Sequence, residues 1–126
     1  MTAVSKTVAQ ASVQKGQGVV VTWNFLGTNN DSGNSVSDEI MTYMDRSVQV
    51  SGTYGGATVV IEGSNDGAAW FTLTDPFEDA LSFATSDNLM AVVEPVKYIR
   101  PTISSSSGTT DLDVTLLAVG GRRGNL

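Results

Sequence analysis

Few residues of this chain could do chemistry. The sequence of 126 residues holds no histidine and no cysteine. That excludes Cys–His and Ser–His–Asp nucleophile systems, and zinc or non-haem iron sites built on thiolate or imidazole. Carboxylates remain, and Asp75, Glu78 and Asp79 crowd the stretch "TDPFED". A glycosidase needs two such groups facing each other across a cleft, whereas acids around a proline turn more often form a solvated corner. The stretches "NNDSGN" and "GSNDG" offer oxygen ligands. Neither has the alternating Asp/Asn spacing, closed by a glutamate, of an EF-hand calcium loop. The expectation is therefore a protein that is not an enzyme, with no catalytic residue, no metal and no cofactor.

Composition narrows the class. Hydrophobic residues make up 40% of the chain and charged residues 16%, with thirteen glycines and nine aromatics. This balance fits a single turn-rich, all-β domain. No apolar run approaches the roughly 18 residues that span a membrane, and the N-terminal stretch lacks the apolar core of a signal peptide. Synthesis in a reducing cytoplasm is expected. Residues 16–121 carry all thirteen acids and three bases, a net −10, while the two ends carry Lys6, Lys15, Arg122 and Arg123 and no acid, +4. An acidic body argues against nucleic acid as a partner. Basic ends on it could grip an acidic neighbouring subunit.

The elements that must position any site are strands. Val19, Val21, Trp23 and Phe25 share one face of a β-branched, aromatic run, and Val48, Val50 and Tyr54 one face of another. Residues 57–63 and the alternation of Leu112, Val114, Leu116 and Ala118 continue the pattern. Short runs at 81–83 and 89–93 and a strand at 98–103, whose Pro101 marks an edge or bulge, complete it. "GTNNDSGNSVS" reads as loop, and Ile40, Met41 and Met44 suit a single helical turn. Between two strands lies the turn Gly63-Ser64-Asn65-Asp66-Gly67. Its glycines tolerate positive φ, and Asn65 and Asp66 can bond nearby backbone amides. About eight short strands predict an antiparallel β-sandwich, jelly-roll-like, over residues 17–120. Its expected core is Val48, Val50, Val59, Ile61, Trp70, Ile99, Leu112, Val114 and Leu116. Residues 1–16 then form a flexible N-terminal arm and 121–126 a flexible basic tail. The expected partner-binding residues are Val4, Lys6, Val8, Val13 and Lys15 of the arm, able to add a strand to a neighbour's open edge, and Arg122 and Arg123 of the tail.

Two resemblances bear on function. "GSNDGAAW" resembles a scaffold turn of discoidin-like carbohydrate- and lipid-binding domains. A sugar site would use exposed aromatics, for which Tyr43, Phe77 and Tyr98 are candidates, although core or rim packing is the commoner role for each. The second resemblance covers residues 45–119, about 60% of the chain, and thins over the first 44 residues. "SVQVSGTYGGATVVIEGSNDG", the "TD" at Thr74-Asp75, "YIRP" at residues 98–101 and "GTT" at residues 108–110 look like a family of small virion proteins of tailed bacteriophages. The resemblance implies a β-sandwich that decorates or cements the capsid. The expected partner is the phage major capsid protein, bound by a dimer or trimer on the capsid exterior, with no nucleic acid or membrane partner. The alternatives are a head–tail connector or tail component, or a carbohydrate-binding adhesion module.

Overall fold

Alternating apolar residues commit this chain to strands with one dry face. The computed structural model describes residues 4–10, 18–28 and 30–120. Among these residues it has strands β1 (Lys6–Gln10), β2 (Gly18–Leu26), β3 (Asp45–Thr53), β4 (Thr58–Ser64), β5 (Phe71–Thr72), β6 (Ser82–Phe83), β7 (Asn88–Val92), β8 (Tyr98–Ser104) and β9 (Asp111–Val119). A single 3-10 turn, Asp38–Ile40, lies between β2 and β3. One sheet has the order β1-β2-β9-β3-β7; in the other, β4 pairs with β8 along one side and with β5 and β6 along the other. Every pairing between named strands is antiparallel. The expected β-sandwich is thus the observed fold. From β6 to β9 the chain alternates between sheets, as in a jelly-roll-like sandwich.

The dry faces meet in one core. Val21, Trp23 and Phe25 of β2, Val48 and Val50 of β3 and Leu112, Val114 and Leu116 of β9 face Val59 and Ile61 of β4 and Ile99 and Ile103 of β8. The outer positions of the larger sheet are mostly polar, as period-2 patterning requires. Three features differ from the sequence reading. Trp70 is not in the core but half-buried, beside Arg100 and Tyr98. The stretch 27–37 is more than loop, because Ser32 bridges Thr102, Val36 bridges Ile99, and Val36 is fully buried. Gly33 packs so closely on the Trp23 indole that an added Cβ would lie 2.5 Å from Cδ1.

The third difference concerns the arm expected at 1–16, which over residues 4–10 belongs to the sandwich. β1 pairs in register with β2, from Lys6 opposite Trp23 to Gln10 opposite Val19. Val4 donates its N–H to the Ser32 carbonyl and accepts one from Asn34. The reason is the otherwise open edge of β2, whose backbone groups this segment satisfies within the same chain.

One end of the sandwich is closed by Arg46, buried at the start of β3. Nε donates to the Tyr43 carbonyl at 2.9 Å, Nη1 to Val96 at 3.0 Å and Nη2 to Ile40 at 3.1 Å. No carboxylate among the described residues forms an ion pair with it. Burial pushes its pKa down, but a guanidinium stays charged in proteins. Replacing Arg46 with Met would strand three carbonyls. Such a change should cost about 3 kcal/mol or more, read as a lower midpoint in urea unfolding. Arg46→Lys, with a compact ammonium in place of the fork, should fall between.

Candidate partner-binding site

The site grows out of the turn between β4 and β5. Ser64 Oγ accepts the N–H groups of Asp66 (3.2 Å) and Gly67 (2.8 Å) and donates to Asp66 Oδ1 at 2.9 Å. Asp66 Oδ1 also accepts from the N–H groups of Ala68 (2.8 Å) and Ala69 (3.0 Å). These backbone donors, with the Ser64 hydroxyl, hold the Asp66 pKa down at about 2. Asn65 reaches further than its immediate neighbours, its Oδ1 accepting the Lys97 N–H at 3.0 Å. Gly67 has φ +77, as its position in the turn required. Gly63 does not have positive φ. It is glycine because an added Cβ would sit 2.7 Å from Leu73 Cδ2 and Val96 Cγ2.

That tight spot is the floor of a pocket of about 400 Å³. Gly63 and Leu73 are buried at its base, with Val96 beside them, and Asp66, Phe71 and Glu94 also line it. Phe71 lies opposite Gly63 in the β4–β5 pairing and so shares the face of Gly63, where it lines the open pocket and is 68% exposed. Glu94 accepts the Thr74 N–H at 2.9 Å and the Thr74 hydroxyl at 2.5 Å. Burial alone would raise its pKa, but the bonds from Thr74 prevail and lower it.

Beyond Thr74 the chain turns through "DPFED". Asp75 is buried, and its Oδ1 accepts the N–H groups of Phe77 and Asp79, both at 2.9 Å. Glu78 takes positive φ, and its N–H donates to the Asp75 carbonyl. The three acids therefore build a turn, and the turn holds Phe77 84% exposed at its tip. Val93, half-exposed, is tied to this hairpin by its N–H bond to the Thr74 carbonyl. One edge of the sandwich thus presents Phe71, Phe77, Val93 and the pocket.

The flanking outer surface of the smaller sheet is occupied by its own contacts. Arg100 lies 4.0 Å over the Trp70 ring and ion-pairs with Glu62 at 3.0 Å. Tyr98 meets Trp70 edge-on, and the Lys97 ammonium lies 5.3 Å over the Tyr98 ring. Tyr43 packs against the core. Of the three aromatics considered for sugar stacking, only Phe77 is free.

The expected partner-binding residues are not brought together here. Val4 and Val8 lie on or beside the β1 edge, where Val8 remains 41% exposed, and Lys6 is paired with Glu39 at 3.3 Å. Val13, Lys15, Arg122 and Arg123 lie outside the described residues. The sequence reading did not single out Phe71 or Glu94. The one available signal was an aromatic at a strand position directly after Trp70.

No family model matches the chain, and no curated protein matches it. Among solved structures, the SPBc2 prophage-derived protein YomS shares the fold, with a TM-score of 0.59 over 86% of this chain and 100% of that one, at 12% identity.

Two measurements check the turn. The Asp66 carboxylate should titrate by NMR near pH 2. Because its folded pKa is depressed, its contribution to stability should be complete above the unfolded value of 3.8 and vanish as pH falls through about 2. In Asp66→Asn that acid-side component should be absent. Gly67→Val should cost about 1–2 kcal/mol or more in denaturant, because a β-branched residue is strained at positive φ.

Proposed function

We propose that this chain is a bacteriophage virion structural protein of the capsid-decoration (cement) type, acting by binding alone on the exterior of the major capsid protein shell. The observation that carries the reading is the edge bearing Phe71 and Phe77. Exposed phenylalanines held on rigid turns are typical anchors of protein interfaces, since little side-chain or loop entropy is lost on binding. Only four phenylalanines occur in the sequence, and Phe25 and Phe83 are the two in the core. The resemblance of residues 45–119 to small virion proteins supports the phage assignment, as does the prophage origin of a protein with the same fold. A shell that repeats one docking position many times makes modest affinity per site sufficient. The carbohydrate reading gains nothing from Tyr98 and Tyr43, which are engaged within the chain.

The test is rebinding to purified virions stripped of this protein, with its position fixed by immunogold labelling. The native chain should restore capsid occupancy. Phe77→Ser should bind at least about tenfold more weakly, with an unchanged melting temperature because the ring touches solvent. Label at the tail or connector, or full rebinding by Phe77→Ser and Phe71→Ser alike, would overturn the reading.

A further inference from the structure

The pocket between the 63–69 turn and residues 94–96 has a chemistry distinct from the phenylalanine edge it adjoins. Its base is apolar, one wall is the exposed Phe71 ring, and its lining includes two carboxylates, Asp66 and Glu94. Both are held ionised at neutral pH by hydrogen-bond donors. No cation among the described residues serves them. Lys6 pairs with Glu39, Arg100 with Glu62, Arg46 is buried against carbonyls, and Lys97 lies over Tyr98.

We propose that this pocket receives a basic side chain, arginine above all, from an extended segment of the protein on which this chain docks. The inference rests on the docking reading above and adds the chemistry of the partner. An arginine fits each part of the lining. Its aliphatic stem covers Val96 and Leu73, its planar guanidinium stacks on Phe71, and its fork of N–H donors reaches carboxylate oxygens. A pocket of about 400 Å³ has ample room for it. Calcium suits the pocket poorly. It takes six to eight oxygens at once, and the lining brings two carboxylates, with no cluster of three acids among the described residues. A guanidinium asks less, since Asp66 Oδ2 is free of the turn's bonds and each Glu94 oxygen accepts one bond from Thr74 and keeps a lone pair. Anions are repelled by the same two carboxylates.

The test uses the full chain carrying Arg122→Gln and Arg123→Gln, so that its own arginines cannot compete. The probe is the blocked tripeptide acetyl-Gly-Arg-Gly-amide, titrated against its glutamine counterpart and followed by amide NMR. The arginine peptide should give saturable shifts confined to residues 63–73 and 94–97, weakened several-fold in high salt. Glu94→Gln keeps an oxygen for the Thr74 N–H but removes the charge, and should weaken binding about fivefold or more. Phe71→Ala, at an exposed ring, should weaken it with the fold unchanged. Absence of saturable shifts, or equal shifts with the glutamine peptide, overturns the proposal. Pocket shifts between the unmutated chain and the glutamine variant, with no peptide present, would mean that the chain's own C-terminal arginines fill the pocket, which overturns the partner as source. Virion rebinding separates the two readings. If Phe77→Ser fails to rebind while Glu94→Gln rebinds fully, the docking edge stands and the pocket does not.

Discussion

A buried guanidinium with no carboxylate partner among the described residues ties the irregular segments of this structure together. Arg46 enters the sandwich at the first turn of the β3 ladder, between Ala118 of β9 and Val92 of β7. Among the described residues the cost of burying its charge is met by dipoles, the carbonyls of Ile40, Tyr43 and Val96, with Met44 Sδ at 3.7 Å beside them. Those three carbonyls belong to two segments with no regular ladder of their own, so the same bonds that satisfy the charge also fix the segments. The 3-10 turn is held in place, and with it Glu39, which pairs with Lys6 of β1. Residues 94–97 are held as well, and with them Val96 and Glu94 of the pocket. Segments at both edges of the sandwich are thereby tied to one side chain.

The pocket edge is built by carboxylates used as backbone caps. Asp66 satisfies the amides of Ala68 and Ala69, Asp75 those of Phe77 and Asp79, and Glu94 the two donors of Thr74. Each gathers N–H groups that a ladder would otherwise have taken, which lets the chain leave the sheet without orphaned donors. The acidic composition of the body is therefore partly structural. Asp66 and Asp75 are pieces of turn geometry, and the charge left over gives the pocket its preference for cations.

Much of the fold was legible because period-2 patterning is strong in this chain. Val19 to Phe25 and Leu112 to Ala118 could face a core in only one way. The Gly67 turn was legible from its own five residues. What sequence could not show was where distant pieces meet. Gly63 reads as a turn glycine, but the side chains it packs on, Leu73 and Val96, come from later segments of the chain. Trp70 reads as core, since nothing local reveals that Arg100 will stack on it. Nothing local to Arg46 reveals that the carbonyls of residues 40, 43 and 96 converge on it. β1 reads as a loose polar arm because its partner, the edge of β2, is defined only once β9 has taken the other side.

The two edges of the sandwich also differ in what they can offer a partner. β1 is a continuous five-residue edge strand, the kind that invites a ladder from another chain. Along β4, by contrast, the edge is broken. Ile61 donates its N–H to Leu81 and accepts one from Leu73, Leu81 donates to Leu73, and residues 74–80 are pinched out between them as a hairpin. β5 and β6 are left with two residues each, too short to template an added strand. On the docking reading proposed above, recognition beside β4 therefore runs through side chains, the rings of Phe71 and Phe77 and the carboxylates of the pocket, while β7, the outer strand of the larger sheet, is the neighbouring backbone edge. The two-residue strands beside β4 give a stray strand little to pair with, while the apolar rings stay displayed. That combination supports the docking role proposed above.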